Sequence, residues 1–74
     1  MNHQVFSTYY QLSIEGKVNP IRCINVGHDA PMVAYWNSLE ERSEFRCYVG
    51  FCDYKIIPGL DMYDRMIKQI DNKQ

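Results

Sequence analysis

The chain has no long apolar run. Its longest extends only from Met32 to Trp36, far short of the ~20 residues that cross a bilayer as a helix. It has no basic excess either: 8 Lys+Arg stand against 9 Asp+Glu, for a formal net charge of −1. A protein that tracks phosphates carries a basic patch or stripe, whereas the longest charge cluster here, Glu40-Glu41-Arg42, is mixed in sign. Nucleophile-elbow, P-loop and HExxH patterns are absent, which removes the enzyme classes that depend on them. A core built from 74 residues also leaves little room to sequester a substrate, so a non-enzymatic protein is expected. The cysteines number three, and an odd count argues against a closed disulfide framework. The opening MNHQVFSTYYQ has neither a basic n-region nor an apolar h-region, so the expected location is cytoplasmic, with reduced thiols.

What is present is ordinary for a globular chain. The residues are 46% hydrophobic and 14% aromatic, and no low-complexity segment or internal repeat interrupts them. One small domain spanning 1–74 is expected. At this size folding buries only about 60% of the unfolded surface. Such domains often gain stability from a staple, a metal or a partner subunit.

Hydrophobic spacing predicts an α+β fold. Phe6, Thr8, Tyr10, Leu12 and Ile14 share one parity, which predicts a half-buried first strand ending in a turn at Glu15-Gly16-Lys17. VNPIRCINVG reads as a second strand with Pro20 at an edge. Residues 30–42 fit a short helix through Met32, Tyr35/Trp36 and Leu39; the competing reading takes Val33, Tyr35 and Trp36 as a strand ending in a turn at Asn37-Ser38. EFRCYVGFCDYKII is the strongest strand pattern, with Phe45, Cys47, Val49 and Phe51 on one face. LDMYDRMIKQIDNKQ closes the chain as an amphipathic helix whose stripe is Leu60, Tyr63, Met66, Ile67 and Ile70. The expected object is a small antiparallel sheet of three to four strands, packed against this C-terminal helix, in the order ββαβα.

Two features invite a function. The first is tyrosine, with 6 in the chain. Tyr9, Tyr35, Trp36, Tyr48 and Tyr54 belong to types enriched at the centres of protein interfaces. They support a protein-binding module, a stoichiometric inhibitor or adaptor of the kind common among phage and mobile-element products. Pairing of two copies as a homodimer would cover an edge strand. The alternative use of the same aromatics is stacking of single-stranded bases. RCYVGFCDY resembles, over nine residues, the RNP1 run of an RNA-recognition motif. It lacks that motif's Lys/Arg-Gly opening and Gly/Ala-Phe-Val centre, and the chain lacks its βαββαβ order, so nucleic acid ranks below protein as a partner.

The second feature is the pair Cys23-x4-His28 and Cys47-x4-Cys52, which together offer four zinc-compatible side chains. Against chelation, residues 47 and 52 differ in parity and point to opposite faces of a regular strand. A bulge or turn at Gly50 would remove that objection. The expectation is no metal or other cofactor, with thiols that serve as small buried hydrophobes; a small zinc-binding domain is the further alternative.

Overall fold

A computed structural model describes residues 1–73 as two helices and a three-stranded antiparallel sheet. The order is α1 (His3–Ile14), β1 (Val33–Asn37), β2 (Arg42–Arg46), β3 (Lys55–Ile56) and α2 (Leu60–Lys73). The α+β class and the C-terminal helix agree with the sequence reading; the assignment of the first half does not.

The predicted first strand is helix α1. Asn2 caps it, its side chain accepting from the Gln4 N–H at 2.9 Å, as an N-cap residue does. The helix ends in a Schellman motif: the Lys17 N–H donates to Leu12 O and the Gly16 N–H to Ser13 O, with Gly16 at φ 75°. The glycine read as a hairpin turn is a helix stop. Alternation misled because the same segment also carries Phe6, Tyr9 and Ser13 at helical spacing, and these are the residues α1 buries. Tyr9, expected on an outward strand face, is 1% exposed. Its hydroxyl donates to the Asn19 carbonyl, and burial pushes its pKa up.

The predicted second strand is not a strand. Residues 19–31 form no ladder, although the Met32 N–H donates to the Ile21 carbonyl at 2.7 Å and draws the ends of this loop together. Residues 30–42 contain strand β1 rather than a helix. β1 pairs with β2 in a hairpin that sets Ala34 opposite Phe45 and Tyr35 opposite Glu44. Asn37 builds the turn by accepting from the N–H groups of Leu39 and Glu40, the local bonding that makes asparagine a turn residue. The long central strand is divided. β2 stops at Arg46, and β3 pairs with it through Phe45–Ile56 and Arg46–Lys55.

α1 is the central element, touching the sheet and α2 alike. Phe6 places its ring 5.7 Å from that of Phe45 and 5.6 Å from that of Tyr63. Around these lie Tyr9, Val18, Met32, Met66, Ile70 and Cys47. Of the expected α2 stripe, Met66 and Ile70 are buried and Leu60 is 69% exposed. The other sheet face carries a polar lattice. Glu44 is wholly buried between Arg42 and Arg46, with N···O distances of 2.8 and 2.9 Å, and the Arg46 guanidinium lies 3.7 Å over the Tyr35 ring. No described helix is long and apolar enough to cross a membrane.

Candidate metal centre

Two loops meet beside the sheet. The first leaves the extended segment at Cys23, turns with the His28 N–H donating to Asn25 O, and passes through Gly27 at φ 88°. The second is the tip of the β2–β3 hairpin. The Cys47 N–H donates to Tyr54 O, extending the ladder one step past the strands, and the Cys52 N–H donates to Val49 O. Gly50, at φ 59°, takes the left-handed conformation that makes this reversal cheap.

Residues 47–52 are therefore a turn, and the parity argument against a shared site does not apply to them. Cys47 and Cys52 face each other across the loop. Phe51, expected on the inner face with Phe45 and Cys47, is fully exposed. Its outward swing is the counterpart of the inward turn of Cys52.

The ligand atoms of Cys23, His28, Cys47 and Cys52 all lie within 4.8 Å of one another. Cys23 Sγ and Cys52 Sγ are 3.6 Å apart, and Cys47 Sγ is 3.5 Å from His28 Nδ1. A tetrahedral Zn²⁺ with arms of about 2.3 Å to sulfur and 2.0 Å to nitrogen has S···S edges of about 3.8 Å and S···N edges of about 3.5 Å. Two opposite edges of the cluster already match. The others, none longer than 4.8 Å, exceed the same tetrahedron by at most about 1.3 Å.

Asn25 supplies donors to two of the sulfurs. The Asn25 side-chain amide donates to Cys23 Sγ at 3.3 Å and to Cys52 Sγ at 3.4 Å, and the Asn25 backbone N–H reaches Cys23 Sγ at 3.4 Å. The backbone N–H of Tyr54, helped by Cys23, Cys47 and Asn25, brings the Cys52 thiol down to about 7. Cys47 goes the other way: the Val49 N–H favours its thiolate, but burial and hydrogen bonding to Cys52 and Cys23 outweigh it and raise its pKa. Cys47 is buried; Cys23, His28 and Cys52 are half-buried.

The five aromatics are dispersed, except that Tyr48 and Tyr54 line one cleft with Cys47 and Cys52. Tyr9 is in the core, Tyr35 lies half-buried under Arg46, and Tyr54 is half-buried beside the hairpin loop. Trp36 and Tyr48 are exposed. The feature missed in the sequence is the Glu44 lattice, whose signal was present in RSEFR: Arg42, Glu44 and Arg46 alternate in sign on one strand face. The chain matches no protein-family model, no curated protein and no solved structure.

Proposed function

We propose that the chain is a small zinc-binding domain in which the metal is structural. One Zn²⁺ is held by Cys23, His28, Cys47 and Cys52. The observation that carries this reading is the convergence of the four ligand atoms within 4.8 Å, from two loops that share no strand. Three sulfurs and one imidazole suit a borderline-soft ion with tetrahedral preference. With four protein ligands the coordination shell is closed, as in structural zinc sites, whereas a catalytic site keeps a position for water or substrate.

The ion fastens the loops 23–28 and 47–52 to each other. Between them these loops carry Ile24, Val26, Tyr48 and Phe51, all exposed. This exposed apolar set favours a second reading that is compatible with the first: a non-enzymatic protein-binding module whose partner meets the metal-held loops.

The test is reconstitution. The reduced full chain, mixed with one equivalent of Zn²⁺, should show one bound ion by native mass spectrometry. The Co²⁺ form should show the visible d–d bands of tetrahedral coordination. A folded, reduced chain that remains metal-free rules the reading out.

A further inference from the structure

We propose that Cys23 and Cys52 form an oxidisable pair, and that a peroxide converts them to a disulfide and thereby ejects the zinc. This proposal rests on the zinc reading above and adds a modification site to it.

Three observations single out this pair among the three cysteines. Their sulfurs are 3.6 Å apart across 29 residues of chain, so they need only close to the ~2.05 Å of a disulfide. Both are half-exposed, while Cys47 is 4% exposed and belongs to the core cluster. A small oxidant therefore reaches Cys23 and Cys52 before Cys47. Both also sit away from the sheet's ladder, whereas the Cys47 N–H extends it by donating to Tyr54 O. The Asn25 amide, donating to both sulfurs, holds them side by side.

The chemistry balances in two steps. One thiolate sulfur attacks a peroxide oxygen; the O–O bond breaks, a sulfenic acid forms and hydroxide leaves. The other thiolate then attacks the sulfenic sulfur, the S–S bond forms and a second hydroxide leaves. With two protons taken up, two thiolates and one hydrogen peroxide give one disulfide and two waters. The two sulfurs lose two electrons in all and the peroxide oxygens gain them; zinc stays Zn²⁺ throughout.

The donor set then falls to Cys47 and His28. Two ligands do not make a closed tetrahedral site, so the ion leaves and the two loops, now joined only through the Cys23–Cys52 bond, lose their attachment at Cys47 and His28. The part of the core formed by Phe6, Tyr9, Phe45 and Met66 lies outside these loops and stays packed. The change is confined to the surface that carries Val26 and Phe51.

The experiment uses the zinc-loaded, reduced full chain, treated with a few equivalents of hydrogen peroxide. Zinc release is followed with a chromogenic chelator. Remaining thiols are alkylated and the chain is digested with trypsin without reduction. Cleavage after Arg22, Arg42, Arg46 and Lys55 yields peptides 23–42 and 47–55. The expected result is release of one zinc per chain, a crosslink between these peptides that fragmentation places on Cys52, and alkylation of Cys47 alone. Reductant with added zinc should restore the starting form. A disulfide through Cys47, separate sulfinic acids, or zinc retained after the bond has formed overturns the proposal. A reduced chain that takes up no zinc fails the metal reading instead, and with it the coupling of this bond to zinc release.

Discussion

The Sγ of Cys47 stands 3.5 Å from Nδ1 of His28, joining a hairpin tip to a loop that belongs to no sheet. This edge and the Cys23–Cys52 edge lie opposite each other in the ligand set, so every substitution within the set removes one end of a contact between the loops. Cys47→Ser and His28→Ala should each weaken zinc binding by more than ~100-fold, beyond the 10–100-fold typical of losing an outer-shell partner. Asn25→Ala, which removes an N–H donor to two sulfurs but no ligand, should cost about 10-fold. Competition titration against a chromogenic chelator measures all three, and equal affinities for Cys47→Ser and the parent chain would place the ion elsewhere.

Metal binding should appear as stability. Free Zn²⁺ at a thousandfold excess over its dissociation constant stabilises the native state by about 4 kcal/mol. For a domain of this size that corresponds to a rise of about 15–30 °C in Tm. Thermal melts with zinc and with EDTA should differ by this order, and coincident melts would show that the ion does not hold the native state.

Glu44 should make the fold acid-sensitive. The hydrogen bond from Arg42, more than those from Asn37 and Arg46, holds its carboxyl down to about 2, against an ordinary value of 4.5. A depressed folded-state pKa means that the stabilisation is complete above about 4.5 and is lost as pH falls from there through about 2. The parent chain should therefore lose Tm more steeply than Glu44→Gln between pH 5 and pH 2.5, the difference between the two curves cancelling the zinc contribution common to both. Parallel curves would refute the assignment. Near neutral pH, Glu44→Ala should cost about 2 kcal/mol, the scale of hydrogen bonds to a charged group.

Two phenylalanines should separate core from surface. Phe6 is fully buried and meets Phe45 and Tyr63, so Phe6→Ala should cost about 3–5 kcal/mol. Phe51 is fully exposed, so Phe51→Ser should change stability by less than about 0.5 kcal/mol. Chemical denaturation reads both, and a large loss on Phe51→Ser would mean that the hairpin tip packs inward.

The C-terminal helix was legible because its pattern admits one period. Tyr63, Met66 and Ile70 align at helical spacing and at no strand spacing, and Met66 and Ile70 are what α2 buries. The first segment admits two periods, and local pattern could not choose between them. What chooses is distant in sequence: Phe6 fits between Phe45 and Tyr63, and His3 Nδ1 meets Ser43 Oγ at 2.7 Å.

The four candidate ligands divide in the same way. Residue type and the two x4 spacings were readable along the chain and named Cys23, His28, Cys47 and Cys52 as a set. Whether the set converges was not readable, because side-chain direction depends on the backbone between the ligands. A continuous strand through residue 50 sends Cys47 and Cys52 apart, and a reversal there brings them together. The hairpin bond from Cys47 to Tyr54 and the turn at Gly50 decide for reversal, and the closed loop from Ile21 to Met32 delivers Cys23 and His28 to the same place. The chain alone determined its donor chemistry, its α+β class and its last helix, which follow from residue identity and local period. The site itself is a product of tertiary structure, since four atoms from two loops share one point only after the chain between them has folded back.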